Sequence, residues 1–288
     1  LPTNPTPNDL ADLAFQEDDF YPSLALTYFL TDEQQLRFSY GQTVVRPDLR
    51  EVSSSTYLDP LTLFPVGGTP GLRTTSIKNY DARWEWYQEN GDTLSLGMFY
   101  KDMTDPIESV QSPAQDGPPL VRIANAETGE VYGVEMEWLK SLSTNFFVSG
   151  NVTLSDSEIQ LDTQKIVEQT GVSTSITNTE RRLTGHSKWV VNSQLGFDSD
   201  NGKHSASLVY NVFGERIIIP GIEGRGDAFE QPFHSLDAVY SYYPDFNSQI
   251  TLKVQNILNQ DKEIEFDDTL LRSETRGVSF SLTYKREF

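Results

Sequence analysis

From residue 20 onward the chain alternates apolar and polar side chains in blocks that come in pairs. Leu24, Leu26 and Tyr28 alternate with Ser23, Ala25 and Thr27; after a short turn at Thr31-Asp32-Glu33, Leu36, Phe38 and Tyr40 alternate with Arg37, Ser39 and Gly41. Side chains of a strand leave opposite faces with period two, so each block predicts a strand with one apolar and one polar face, and each pair predicts a hairpin. The scheme repeats. Tyr80, Ala82, Trp84 and Trp86 reach an Asn90-Gly91 turn and return as Leu94, Leu96, Met98 and Tyr100. Tyr132, Val134, Met136 and Trp138 pass a turn within 140–144 and return as Phe146, Val148, Val152 and Leu154. Trp189, Val191, Leu195 and Phe197 meet an Asn201-Gly202 turn before Ala206, Leu208, Tyr210 and Val212. Leu236, Ala238, Tyr240 and Tyr242 turn at Pro244-Asp245 into Ile250, Leu252 and Val254. Asn-Gly tolerates the positive φ of a two-residue hairpin turn, which strengthens two of these assignments. A last strand over 277–288 carries Val278, Phe280, Leu282 and Tyr284 on one face and stops on Phe288.

The pattern predicts about 11 strands of about 9 to 11 residues, the length a tilted strand needs to cross a bilayer. Connections fall into two populations. Short turns alternate with long irregular stretches at 43–76, 105–129, 155–185, 214–232 and 259–276, and residues 1–19, rich in Pro, Asn and Asp, read as a leading loop. Short turns on one side and long loops on the other are the asymmetry of outer-membrane barrels. An odd antiparallel set has two edge strands running the same way, so it does not close by itself with an antiparallel seam. The alternative is a secreted, soluble β-sandwich, a lectin-like carbohydrate-binding module whose apolar faces pack on each other, since periodicity does not say what covers the apolar face.

Composition narrows the classes. A formal charge of -20 and a pI near 4.4 argue against a nucleic-acid partner, which needs a basic footprint. No stretch approaches the roughly 20 apolar residues of a membrane-spanning helix, whereas low mean hydropathy does not exclude a barrel in which alternate residues face lipid. There is no cysteine, hence no disulfide framework or thiolate chemistry. The opening residues do not resemble a signal peptide, which suggests a processed chain or a piece of one.

Candidate chemistry is sparse. His186, His204 and His234 sit at strand starts without ligand spacing. The Asp198-Ser199-Asp200-Asn201-Gly202 run is a weak match to a calcium loop and reads better as a hairpin turn. Glu85, Glu135 and Glu137 face away from Trp84, Trp86, Met136 and Trp138, together with Arg37, Arg83 and Lys101. They read as a charge-paired lumen wall rather than a glycosidase pair. With no nucleophile elbow, phosphate loop or metal motif, neither enzyme activity, metal nor cofactor is expected. Tyr28, Tyr40, Trp86, Tyr100, Trp138, Trp189, Tyr242 and Tyr284 read as interfacial girdle residues. Among loop residues, Tyr57, Phe64 and Phe229 are candidates to stack on a ligand's rings, and Arg73 to hold an acidic group.

Several stretches together carry a family resemblance. They are Leu36-Arg37-Phe38-Ser39-Tyr40-Gly41-Gln42-Thr43 followed by Arg46-Pro47-Asp48-Leu49-Arg50-Glu51; Gly68-Thr69-Pro70-Gly71-Leu72 with Asn79-Tyr80-Asp81; Phe99-Tyr100-Lys101-Asp102-Met103; Val131-Tyr132-Gly133-Val134-Glu135; Asn256-Ile257-Leu258-Asn259; and the terminal aromatic Phe288. In this order the chain resembles the C-terminal half of a TonB-dependent outer-membrane receptor, although Thr69-Pro70-Gly71 departs from the Gly-Asn-Pro form of that motif. The resemblance implies an all-β antiparallel transmembrane barrel of about 22 strands in the outer membrane of a Gram-negative bacterium. Residues 1–288 would be a single, incomplete domain of it. It implies active uptake of a large or scarce nutrient, glycans slightly ahead of siderophores and other ligands, bound as a small molecule or oligosaccharide. The implied partners are outer-membrane lipid, an N-terminal plug and first barrel half lying outside these residues, and, through that missing part, the TonB energy-coupling complex. Phe288 would be the assembly signal read by the outer-membrane insertion machinery.

Overall fold

The computed structural model describes residues 19–60, 62–112, 119–171 and 176–287. The leading loop expected over 1–19 lies outside them except for Asp19, as does Phe288. In chain order come β1 (Ser23–Phe29), β2 (Gln34–Val45), β3 (Thr56–Leu58), β4 (Pro65–Gly67), β5 (Thr75–Tyr87), β6 (Thr93–Thr104), β7 (Ile107–Ser112), β8 (Leu120–Asn125), β9 (Thr128–Ser141), β10 (Phe146–Gln160), α1 (Thr163–Thr170), β11 (Glu180–Arg181), β12 (Trp189–Asp198), β13 (His204–Phe213), β14 (Arg216–Ile219), β15 (Ala228–Glu230), β16 (Ser235–Asp245), β17 (Ser248–Gln255), β18 (Lys262–Phe266), β19 (Thr269–Glu274) and β20 (Ser279–Arg286).

One wall dominates. Its path is β1-β2-β5-β6-β9-β10-β12-β13-β16-β17-β20, antiparallel throughout, with β11 appended to β10. These eleven are the strands that the alternation predicts, and they range from 7 to 15 residues because the tallest hairpin, β9 and β10, continues beyond the expected span. The register carries the alternation across strands. Leu26, Phe38, Ala82, Met98, Val134 and Leu154 are successive partners on one face. On the long-loop side of that row Tyr40, Tyr80, Tyr100 and Tyr132 align, with ring centroids of the first three 5.1 and 6.2 Å apart in sequence. On the short-turn side lie Trp84 beside Trp86, Phe146 against Phe197 at 4.9 Å, and His204 stacked on Tyr242 at 5.1 Å.

This apolar face is bare: Met98 is 63% exposed and Leu282 74%. A sandwich would cover it with a second sheet, and the described residues supply none, so the soluble-module alternative fails on packing. An uninterrupted apolar band edged by two aromatic rows instead matches the surface that hydrocarbon and its two interfaces require.

The hydrophobic core lies elsewhere. The long connections are ordered, not irregular as the sequence suggests: β3-β4-β8-β7 form one four-stranded sheet, with β4 and β8 parallel, and β14-β15-β18-β19 another. Val110, Ala124, Ala126, Ile159, Leu161 and Ile166 bury one cluster and Val66, Leu72, Val121 and Ile123 a second. Water on the loop side drives these side chains together, whereas lipid asks nothing of the wall. Helix α1 presents Ile166 to the first cluster and is capped by Asp162, whose side chain accepts from the Gln164 and Lys165 amides, and by Gly171 at φ 65°.

The fifth short turn is displaced. β16 runs through Pro244 to Asp245 and the chain turns at Phe246 and Asn247, with a register shift between Tyr242 and Asp245. A bulge spares Pro244 the ladder bond that it has no N–H to make. The Asn90-Gly91 and Asn201-Gly202 turns form where expected, but within the longer connections 88–92 and 199–203 and with the glycines, not the asparagines, at positive φ.

Glycines in the wall make room for cross-strand rings. A Cβ on Gly133 would lie 2.5 Å from the Leu154 carbonyl oxygen and 2.7 Å from the Phe99 ring. Gly133→Val is therefore expected to destabilise the wall by about 1 to 3 kcal/mol through overpacking. The check is the urea midpoint of the refolded barrel, which should fall, whereas Gly91→Ala, at an open turn position, tests only the positive-φ cost.

Candidate ligand site beneath the loop cap

The polar face of the wall is built from register. Gln35, Glu85, Ser95, Glu137, Asn151, Asn192, Asn211 and Ser235 are successive cross-strand partners. Charges on this row satisfy one another: Glu85 meets Arg37 at 3.1 Å and Arg83 at 3.0 Å and accepts from Gln35, while Arg83 also reaches Glu137 at 2.5 Å. Opposite charges facing across a ladder stabilise it, which is the wall role expected for these acids. Lys101 is not part of that network; it donates to Asn79 Oδ1 at 3.1 Å. Among the described residues Glu135 forms no ion pair. Amides and hydroxyls continue the row, with Asn192 Nδ2 donating to Asn151 Oδ1 at 2.8 Å, and bound a concave polar patch of about 420 Å³.

Above the wall, two sequence motifs prove to be one structural unit. Gly68 packs against the backbone carbonyls of Arg50, Glu51 and Ser53, and the Thr69 amide donates to the Glu51 carbonyl at 2.6 Å. Asp48 and Glu51 cap the same turn, accepting from the Arg50 amide at 3.0 Å and the Asp48 amide at 2.8 Å. Only a glycine fits at Gly68, which ties the Arg46-Pro47 stretch to the Gly-Gly stretch.

Buried polar groups join the loops. Asn125 accepts from the Arg73 amide and donates to the Arg73 and Asp105 carbonyls, while Gln169 of α1 donates to its Oδ1 at 2.7 Å. Glu108 of β7 and Arg181 of β11, with side chains 5% and 2% exposed, pair at 3.0 Å. Burial pushes the Glu108 carboxyl up, opposed by Arg181 and the Thr184 hydroxyl.

His186 stitches the third loop to β10, its Nε2 2.9 Å from Ser155 Oγ and its Nδ1 2.8 Å from Ser157 Oγ. Burial, then Arg182 and Lys188 beside the ring, hold its pKa below the usual value against the pull of Asp156. A depressed histidine supports the fold while neutral, so its contribution is complete above the unfolded value of about 6.5 and is lost as pH falls below it. The protection of amides across 181–188, with the intrinsic slowing of exchange in acid divided out, is expected to fall between about pH 7 and pH 5, and His186→Gln to flatten that dependence; equal pH response in both proteins would contradict it.

The long connections converge on one cavity of about 450 Å³ between the two loop sheets. Phe64 reaches it from the first loop, Gln111 and Pro119 from the second, Ile219 to Ala228 from the fourth, and Phe266 and Leu271 from the fifth. The third loop reaches its rim, where Thr177 Oγ1 accepts from the Gly224 amide at 2.8 Å. Across the gap Arg272 donates to the Pro60 carbonyl at 3.1 Å. The volume and the mixture of aromatic, aliphatic and few polar groups suit a small-molecule site.

Of the four candidates read from sequence, Phe64 lines this cavity, where it packs on the Val66 cluster. The other three do not. Tyr57 lies under the Arg50 guanidinium at 5.8 Å and Phe229 under that of Arg182 at 5.7 Å. Arg73 is held by Asp105 at 2.5 Å. Sequence reading missed Gln111, Ile219, Ile222, Arg225, Phe266 and Leu271; the apolar run Ile217-Ile218-Ile219-Pro220 within a glycine-rich stretch was the available signal. Among the described residues no His/Asp/Glu group could hold a metal ion, and no helix is long and apolar enough to cross a membrane.

The family model "TonB dependent receptor-like, beta-barrel" matches residues 2–257. No curated protein matches by sequence. Among solved structures the chain is similar to a variant of the ferric enterobactin receptor PfeA of Pseudomonas aeruginosa in complex with enterobactin, at 17% identity and TM-score 0.60, over 94% of this chain and 41% of that one. It is similar to the ferric-catecholate import receptor Fiu of E. coli at 14% identity and TM-score 0.62, over 92% and 34%, and to the siderophore receptor PirA of Acinetobacter baumannii at 14% and 0.62, over 94% and 41%. At such identities the likeness speaks for the fold, and the chain spans about two fifths or less of these structures.

Proposed function

The chain belongs to the TonB-dependent receptor β-barrel family, and on that premise we propose that it forms the wall and outer loops of an uptake receptor. That receptor imports a large or scarce nutrient across the bacterial outer membrane. The observation that carries the reading is the joining, in one wall, of a bare apolar face with two aromatic rows to a charge-paired polar face, roofed by loops converging on a cavity. The concave patch bounded by Arg83, Glu85, Glu137, Asn151 and Asn192 is the seat proposed for a plug supplied by the rest of the receptor, through which the energy-coupling complex would act. Its paired charges let a polar domain rest there and leave without stranding a buried ion.

As to the ligand, the Arg46-Pro47 stretch leans slightly toward glycans, while the similar solved receptors carry siderophore titles at identities that speak only for the fold. The family is one of transport receptors, which supports a non-enzymatic role.

The deciding experiment uses the whole receptor in a Gram-negative host. The protein should fractionate with the outer membrane, migrate faster on an unheated denaturing gel than after boiling, and support ligand accumulation that ceases when the inner-membrane proton gradient is collapsed. Accumulation insensitive to that collapse would overturn active uptake.

A further inference from the structure

We infer that the cavity between the two loop sheets takes an uncharged or cationic ligand with an apolar face and discriminates against polyanions; this deepens the uptake reading above and rests on it. The lining comes first. Phe64, Phe266, Ile219, Ile222 and Leu271 with Pro119 and Pro220 give it apolar walls, and among the described residues its ionisable lining groups are Arg225 and Glu223, one of each sign. Arg225 and Glu223 sit exposed on the tight bend at the tip of the fourth loop, where Glu223 and Gly224 both have positive φ. Among the described residues no surplus of positive charge faces the interior, and the single Arg225 is too few to neutralise several negative charges on a ligand.

The rim adds a sign. Asp267 and Asp268 form the bend between β18 and β19, both at positive φ, and the Asp267 carboxylate stands beside Gly226, so close that a Cβ on that glycine would lie 3.0 Å from its Oδ1. Glu263 and Glu265 precede them on β18. The rim cation Arg272, which donates to the Pro60 carbonyl, offsets one of these four carboxylates and leaves the others in excess. Beyond the rim the whole chain carries -20. Clefts rimmed by one sign of charge raise the local concentration of the opposite sign and repel their own, so a polyanion meets an opposing field on approach and no compensating charge on arrival.

The test uses the whole receptor in detergent micelles with three probes: a neutral ferric trihydroxamate, a neutral linear oligosaccharide and a trianionic ferric tris-catecholate. Each is titrated at low and at high salt, against wild type and Asp267→Asn/Asp268→Asn. Asparagine adopts the left-handed region as readily as aspartate, so the bend survives the change. A neutral probe should bind with little salt dependence and equally to both proteins. The trianion should bind weakest at low salt, and its association rate should rise about tenfold in the double variant. If the trianion binds tightest, and tightest at low salt, the charge inference falls while the uptake reading stands. If none of the three probes binds and Ile222→Trp, which fills the cavity, leaves proton-gradient-dependent uptake intact, then the cavity is not the ligand site and the charge inference falls, while the uptake reading stands; that reading falls only if accumulation does not depend on the gradient.

Discussion

Replacing Arg181 by alanine is expected to be the most damaging single change in the loop cap, costing about 3 to 5 kcal/mol of its stability. The guanidinium is almost wholly buried and spends its donors on Glu108 Oε2, the Ser109 carbonyl, the Arg182 carbonyl and Thr184 Oγ1, at 2.8 to 3.2 Å. Removing it strands Glu108 in an apolar setting where, among the described residues, the Thr184 amide and hydroxyl are the remaining donors, the latter at 2.8 Å. The second and third loops are joined there, so amide exchange should accelerate over β7 and β11 together. Because the penalty comes from the orphaned charge rather than from the pair's own worth, Glu108→Leu with Arg181→Met should recover much of the loss. A double variant as unstable as Arg181→Ala would show that the pair itself, not the desolvation of its survivor, holds the loops.

An arginine at Leu282 should cost about 2 to 4 kcal/mol in membrane assembly, while Ser281→Thr next to it is tolerated. Leu282 pairs with Leu252 on the apolar face and is 74% exposed; Ser281 pairs with Lys253 on the polar face. In water the exposed leucine would be the forgiving position, so the expected ranking is the reverse of what a soluble protein shows. Folding yield into lipid vesicles, read on unheated gels, checks it, and equal sensitivity of the two faces would contradict a lipid-facing wall.

The wall was legible because its signal is local. Period two within each strand needs no knowledge of distant residues and marks the wall strands, less cleanly in β9 and β10, while Asn-Gly punctuates two of the five short turns. The cap was not legible because its strands are short, some only three residues, and pair between loops far apart in sequence. Val66 meets Val121 in parallel and Phe229 meets Glu265; no periodicity encodes such meetings. The same non-locality explains the candidate residues. An aromatic in a loop is visible, but whether it faces a cavity, as Phe64 does, or lies under an arginine, as Tyr57 and Phe229 do, depends on a partner elsewhere. Arg73, a ligand candidate on sequence, pairs its guanidinium with Asp105 and bonds Asn125 through its backbone amide.

The two outer edges of the wall run in the same direction, since eleven antiparallel strands separate into six of one sense and five of the other. Two copies of this chain side by side in one membrane would therefore meet through parallel seams, whereas a complement with an odd number of strands meets both edges antiparallel. Parity is thus inherited by the whole barrel. Duplicating or deleting a hairpin leaves the seam sealable, and gaining or losing one strand does not, so the unit in which such a barrel can grow or shrink over evolutionary time is the hairpin with its long loop.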